Sequence, residues 1–203
     1  MNHTIARAIR RKFHLKVDGH TLPIPASRRR TRLHLCEVWG ELGYKRGVEI
    51  GVAIAGFSKE ILDRVPEAHL TCIDPWCEYK DSFLTAEKQE GYYQQALERL
   101  TPYIQANRCE ILRMPSLDAL AKFADESLDF VYIDGDHSFD YVVQELIYWT
   151  KKVKVGGMVA LHDYMPMVRG GVRQAVDAYT YCHQIAPWYV ICEDLPTAFW
   201  VKE

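Results

Sequence analysis

The sequence predicts an α/β fold built on one mostly parallel sheet. Three observations carry that expectation. Short apolar runs alternate with amphipathic stretches from Lys45 onward, strand then helix, five times over. The last two runs, "WYVICED" and "TAFWVKE", are joined by a connection too short for a crossover helix, so they must pair antiparallel. The chain's 203 residues suit one domain with a proper core better than two.

The elements follow in order. "NHTIARAIRRKFHL" places Ile5, Ala8, Ile9 and Phe13 on one helical face. "VDGHTLPIPAS" reads as loop, with an Asp-Gly turn and two prolines. "SRRRTRLHLCEVWGELG" reads as a second helix, with Ser27 as its cap and Gly40 or Gly43 as its stop. Strands are expected at "GVEIGV", "HLTCIDP", "RCEILRM", "LDFVYID" and "GGMVALHDY". With the terminal pair they make seven. Helices are expected at "FSKEILDRV", "TAEKQEGYYQQALERL", "SLDALAKFA", "SFDYVVQELIYWTKKV" and "GGVRQAVDAYTYC", covering both faces of the sheet. Residues 1–44 then form a short basic helical extension, and residues 45–203 the main domain.

Composition bounds the function. With 48% hydrophobic and 26% charged residues the chain reads as an ordinary globular protein. Neither a membrane span nor a secretory signal peptide is visible. The six cysteines are scattered without a C-x-x-C spacing, which fits reduced thiols in a cytoplasmic protein better than a disulfide framework. Charge is uneven. Residues 1–32 carry nine Lys/Arg and only Asp18, leaving 16 bases against 26 acids in the remainder. Such an arm could bind nucleic acid, an anionic substrate or the acidic body of a second subunit, or be a solvated face. The N-terminal helices are the candidate elements of a homo-oligomer.

In open α/β sheets ligands sit at the carboxyl ends of the strands, where the strand order reverses. After the first expected strand come Glu49, Gly51 and Gly56. Gly51 allows close backbone approach, and Gly56 lies near a helix start whose N–H groups face the same cleft. This is not G-x-G-x-x-G, so a dinucleotide site is weakly supported. After the second comes Asp74, which could accept from both hydroxyls of a ribose or could cap the turn before Pro75. After the third comes Ser116, a helix cap or a contact to a nucleobase edge. The fourth ends in Asp134-Gly135-Asp136-His137, and the fifth in His162-Asp163-Tyr164. These two ends should be neighbours. Their oxygen and imidazole donors suit a hard divalent ion such as Mg²⁺ or Mn²⁺, and either His137 or His162 could instead act as a general base. The aromatics after the second strand divide. Phe83 belongs to the same cluster; Trp76 and Tyr79 are the lid candidates, whereas Tyr92, Tyr93 and Leu97 suit helix packing. Tyr164 and Met165 are candidate walls for a second substrate.

Taken together, "VEIG…FS", "IDPW", "DFVYIDGDHSF" and "GGMVALHDY" resemble class I S-adenosylmethionine-dependent methyltransferases with their Rossmann-like sheet. The resemblance is strongest to a small bacterial and phage-type group related to the catechol-type and sugar O-methyltransferases, and it covers Gly47 to Glu203. It implies that Glu49, Gly51, Ala55 and neighbouring backbone cradle the methionine part of S-adenosylmethionine. It also implies that Asp74 and Pro75 lie at the ribose, Ser116 near the adenine, and Asp134 beside the methyl sulfonium. Asp134, His162 and Asp163 would hold a divalent ion, with His137 or His162 as base. The family has glycine where this chain has Ala55, with Gly56 displaced by one, which implies a rearranged turn. The expected reaction is O-methylation of a small hydroxylated metabolite such as a sugar. The alternatives are a nucleic-acid methyltransferase recruited by the basic arm, a NAD-dependent oxidoreductase, and a non-catalytic binding module on the same fold. Against nucleic acid stands the lack of an Asn/Asp-Pro-Pro-Tyr motif; against the oxidoreductase, the lack of a Tyr-x-x-x-Lys pair.

Overall fold

The alternation resolves, in a computed structural model that describes residues 2–15, 22–27, 29–78, 84–166 and 171–203, into one sheet between two helical layers. The elements in chain order are α1 (His3–Phe13), β1 (Ile24–Pro25), α2 (Arg32–Glu41), β2 (Arg46–Ile50), α3 (Gly56–Arg64), β3 (His69–Ile73), α4 (Ala86–Gln105), β4 (Cys109–Leu112), α5 (Ser116–Ala119), β5 (Leu128–Ile133), α6 (Phe139–Lys152), β6 (Val153–Leu161), α7 (Val172–Cys182), β7 (Trp188–Ile191) and β8 (Thr197–Val201). Across the sheet the order is β1-β7-β8-β6-β5-β2-β3-β4. Only β8 runs antiparallel to its neighbours β6 and β7.

The sheet has eight strands where the sequence suggested seven. The extra one is Ile24–Pro25, read as loop from its prolines, which pairs parallel with β7 at the edge. An edge strand tolerates a proline because it can leave the missing N–H facing outward. At the centre, every residue of β5 is buried. That is what a parallel strand covered on both faces requires, and it explains the unbroken "LDFVYI". Gly47 of β2 makes room for its neighbour, since a Cβ there would lie 2.0 Å from the Phe130 ring. That ring stacks on Trp39 of α2 with centroids 4.0 Å apart.

Two cores flank the sheet. Apolar residues of α1 to α4 fill one, and those of α5 to α7 fill the other. Residues of the N-terminal helices α1 and α2 pack into the first of these cores. Ile9 and Phe13 are fully buried, and Phe13 packs against Phe199 of β8 with centroids 5.2 Å apart. Burying two such side chains contributes about 1.5–3 kcal/mol each. Surface pairs from Lys12 to Glu37 and Glu41, and from Arg11 to Glu41, add little beyond this. The cap of α2 is Thr31, not Ser27: its side chain and that of His34 form a reciprocal capping box. Gly43, at φ +67°, follows the helix end.

The order reverses between β2 and β5. From β2 the chain steps outward to β3 and β4, whereas β5 steps the other way to β6. Their carboxyl ends therefore flank the crevice where this fold binds ligands.

Candidate functional site

At that crevice lies a cavity of about 350 Å³, lined by Gly51, Asp74, Pro75, Ser116, Asp134, His137 and Glu145 among others. Its floor depends on one glycine. Gly51 sits at φ +80°, and a Cβ there would lie 2.0 Å from the Asp134 carbonyl oxygen. Only glycine lets the ends of β2 and β5 come this close. Asp74 braces the same turn. Its Oδ2 accepts from the amides of Val52 and Ala53 at 2.9 and 3.0 Å, and its Oδ1 accepts from the Trp76 amide at 2.8 Å. Burial nevertheless pushes its carboxyl above the ordinary range. Each carboxylate oxygen has a second lone pair, so bracing the turn leaves acceptor capacity toward the cavity.

Two expected cavity residues lie elsewhere. Glu49 and Ala55 are buried at 1% and 0% exposure and do not line the cavity. The pleat explains Glu49, since successive residues of β2 point to opposite faces and its neighbour Ile50 is the one that lines the cavity. Burial pushes its carboxyl up to about 8, and its Oε2 has no hydrogen-bond partner among the described residues. Ala55 caps α3 at φ +57°, in the left-handed region where the resembling family has glycine. Trp76 is no lid: it is buried, and its Nε1 donates to the Ala53 carbonyl at 2.8 Å. Tyr93 packs on Trp76, while Tyr92 reaches the cavity wall instead of only packing its helix. Tyr79 and Phe83 lie outside the described residues. Ser116 is the first residue of α5 and not its cap, a place taken by Pro115. Its hydroxyl donates to Glu145 Oε1 at 2.6 Å.

Beside the cavity, β5 and β6 bring Asp134, His137, His162 and Asp163 together, as their adjacency demanded. His137 Nε2 lies 3.2 Å from Asp163 Oδ2 and 3.8 Å from Asp134 Oδ1. His162 Nδ1 lies 3.3 Å from Asp134 Oδ1 and 3.4 Å from Asp163 Oδ1. Burial pushes the Asp134 carboxyl up, but the His137 and His162 imidazoles outweigh it and hold it below the ordinary range. The Asp134 carboxylate in turn draws His137 above the usual imidazole value, against the opposing effect of burial. Asp163 is buried at φ +56°, a left-handed conformation, and its Oδ1 has no hydrogen-bond partner among the described residues. Strain of this kind gathers at functional sites. Asp136 has a local role instead, since its Oδ1 accepts from the Ser138 amide at the start of α6. Tyr164 is buried in the second core, where its hydroxyl donates to Asp177 at 2.7 Å, so it does not wall a substrate pocket.

The largest surprise is Arg32, the first residue of α2. Its Nη1 lies 2.5 Å from His162 Nε2 and 3.4 Å from the Tyr132 hydroxyl, and its guanidinium covers the Phe57 ring at 4.8 Å. Arginine has donors only, so His162 Nε2 must accept, and the ring's proton sits on Nδ1, facing both carboxylates. Within "SRRRTR" nothing distinguished this arginine from its neighbours. Glu145 was also missed, although its signal was present. It stands on the buried stripe of α6 with Val142, Leu146 and Trp149, where a carboxylate is out of place.

Asp134, His162 and Asp163 can each place one ligand atom within 4.8 Å of the others. Two carboxylates suit a hard cation. His162 suits it less, because its Nδ1 carries a proton while Arg32 holds Nε2.

Comparisons with known proteins agree with this architecture. A family model described as a methyltransferase domain matches residues 41–164. No curated protein matches the chain. Among solved structures, the cofactor-bound protein Rv0187 from MTB is 16% identical, with a TM-score of 0.62, covering 100% of this chain and 91% of that one. The O-methyltransferase TomG from Streptomyces achromogenes, solved with SAM, is 15% identical, with a TM-score of 0.61 and coverage of 100% and 91%. A SAM-dependent O-methyltransferase from Thermotoga maritima is 13% identical, with a TM-score of 0.56 and coverage of 86% and 68%. At these identities the likeness is one of fold.

Proposed function

Because the chain belongs to the methyltransferase-domain family, we propose that it transfers a methyl group from S-adenosylmethionine to a hydroxyl oxygen of a small polyhydroxylated molecule such as a sugar. The observation that carries this reading is the place of Asp134. It lines the cavity that also holds Gly51 and Asp74, and it contacts both imidazoles of the neighbouring rim. A nucleoside-sized ligand and an acceptor would therefore meet at one carboxylate.

The cavity fits the cofactor. Its volume lies in the range of small-molecule sites, and Asp74 offers spare lone pairs where a ribose would lie. S-adenosylmethionine supplies an electrophilic methyl group on sulfur, so the protein's task is chiefly alignment. Gly51 gives the ligand access to the β2 end, and Asp134 presents a carboxylate on the cavity side. A proton leaving an acceptor hydroxyl can be held on the His137 imidazole, whose buried Nε2 faces Asp134 and Asp163, so that the two carboxylates stabilise the imidazolium. His162 is poorly placed for that task, with Nε2 engaged by Arg32 and Nδ1 already protonated.

Mg²⁺ or Mn²⁺ would be held by Asp134 and Asp163, and would lower the pKa of an acceptor hydroxyl and orient it. The unpartnered Asp163 Oδ1 supports this. Metal and His137 imidazolium would draw on the same two carboxylates, so the rim holds one cation at a time. Two bases of the N-terminal arm, Arg11 and Lys12, are engaged with the chain's own Glu37 and Glu41, which weighs against a nucleic-acid acceptor. A cytoplasmic location belongs to the same reading, and the scattered spacing of the six cysteines fits it. No helix among the described residues is long and apolar enough to cross a membrane.

Calorimetric titration of S-adenosylhomocysteine, with and without Mg²⁺, tests the reading. Micromolar binding, followed by release of S-adenosylhomocysteine in a screen of hydroxylated acceptors, is the expected result. Absence of binding in both conditions would overturn it.

A further inference from the structure

A second cavity, of about 290 Å³, opens at the other end of the strands. Arg46 begins β2, His69 begins β3, and Glu110 stands one residue into β4. Strand pairing sets Arg46 beside His69 and Thr71 beside Glu110, so these side chains share one face of the sheet. Farther along the strands the same face carries Val48, Ile73 and Leu112 of the second core. The change from apolar to polar follows from the cover. The β4-to-β5 crossover holds only the four residues of α5 and the 3₁₀ turn Leu120–Lys122, whereas α6 has 14. So short a crossover leaves the amino half of this face open, with Lys122 and Phe123 as one wall.

Arg46, His69 and Lys122 meet in this cavity, and none has an ion pair among the described residues. Asp129 of β5 is no partner for them. Its Oδ2 accepts from the Lys45 and Arg46 amides at 2.7 and 2.8 Å, and its Oδ1 holds Lys154. Thr71 lines the cavity at 6% exposure, and its hydroxyl has no hydrogen-bond partner among the described residues. Cations gathered without a counter-ion repel one another, and a nearly buried hydroxyl without a partner is costly. We propose that this cavity binds a small phosphorylated sugar. The Arg46 fork and the Lys122 ammonium hold the phosphate, with the His69 ring N–H as a further donor. Thr71 and Glu110 take the hydroxylated body. Glu110 only accepts when ionised, so it disfavours a bare phosphate and selects a ligand with hydroxyl donors beside the anion. The volume, at the lower limit of small-molecule sites, leaves room for that body. The site is independent of the methyl-transfer reading, since the first cavity lies at the carboxyl ends of the strands.

The test titrates ribose 5-phosphate, inorganic phosphate and ribose into the full chain by calorimetry at constant ionic strength. Ribose 5-phosphate should bind at least about tenfold more tightly than inorganic phosphate, and ribose should show no binding. Arg46 and Lys122 are exposed, so Arg46→Met and Lys122→Met should keep the fold. Each should weaken ribose 5-phosphate by at least about tenfold, the scale of a lost charge-assisted hydrogen bond, and leave S-adenosylhomocysteine affinity unchanged. Glu110→Gln should reduce the preference over inorganic phosphate. Saturation with S-adenosylhomocysteine should leave the sugar phosphate's affinity unchanged. No binding of ribose 5-phosphate, equal affinity for inorganic phosphate, or full affinity in the folded Arg46→Met and Lys122→Met proteins overturns the inference. Competition with S-adenosylhomocysteine would place the ligand in the first cavity and overturn it as well.

Discussion

Replacing Arg32 with methionine should unlock the acid and imidazole rim without emptying the space around it. Methionine keeps an apolar stem of similar reach beside Phe57, so packing loss is small. What disappears is the charge-assisted bond from Nη1 to His162 Nε2 at 2.5 Å and the cation–π contact at 4.8 Å. The first contributes about 1.5–3 kcal/mol and the second about 0.5–1 kcal/mol, so a stability loss of about 2–4 kcal/mol is expected in urea denaturation. The functional effect follows from the ring. With Nε2 no longer held as an acceptor, the Nε2–H tautomer becomes accessible, and Nδ1 need not donate toward Asp134 and Asp163. Long-range ¹H–¹⁵N correlation of the histidine rings reads this directly. The wild type should show His162 with its proton on Nδ1, and Arg32→Met should show a mixture. Affinity for Mn²⁺ should rise in the variant, because an unprotonated Nδ1 can join the two carboxylates as a ligand. A wild-type His162 already protonated on Nε2, or an unchanged ring in the variant, would refute the reasoning.

Other perturbations test other parts of the site. Gly51→Ala places a methyl group in left-handed backbone and 2.0 Å from the Asp134 carbonyl; a loss of about 2–5 kcal/mol and of S-adenosylhomocysteine binding is expected by denaturation and calorimetry. Asp163→Asn should weaken Mn²⁺ binding by at least about tenfold, the usual order for removing a ligand or its close support, and equal affinity would place the ion elsewhere. Stability should fall as pH rises from about 5 to about 8, because the native state retains protons on Glu49 and Glu145, raised to about 8 and about 7, that the unfolded chain has already released. Each group contributes a slope of up to about 1.4 kcal/mol per pH unit within its window, and none above its folded value. Urea midpoints across that range, compared with Glu49→Gln, isolate the first contribution; an identical pH slope in the variant would exclude Glu49.

What could be read from the sequence follows from where its physics is local. The five strand-then-helix units are written in short-range hydrophobic periodicity, and they fix the neighbours β5 and β6. That is enough to bring Asp134 and His137 beside His162 and Asp163 before any coordinates are known. Strand faces are harder to assign. Glu49 follows the last well-patterned residue of a five-residue strand, and one step of pleat decides whether it enters the cavity or the core. Edge pairing is harder still, because Ile24–Pro25 carries no pattern of its own and is a strand only because β7 lies beside it.

Arg32 and Glu145 show two different reasons for a missed residue. Glu145 could have been found, because it interrupts a buried stripe at Val142, Leu146 and Trp149, and a carboxylate there needs a partner. Arg32 could not. Four arginines stand within five residues, from Arg28 to Arg32, and only the docking of α2 turns the last of them toward the sheet. The same docking explains why a segment that looked like a separable basic arm is bound to the site. Trp39 stacks on Phe130 of β5, the strand that ends in Asp134, so the helix that supplies Arg32 is packed against the strand that supplies the carboxylate. Removing residues 1–32 would therefore expose the Phe13 contact on β8 and open the His162 contact together. Lost activity in such a truncation would report a damaged rim, and only a full-length variant with neutralised surface arginines could reveal recruitment of an anionic partner.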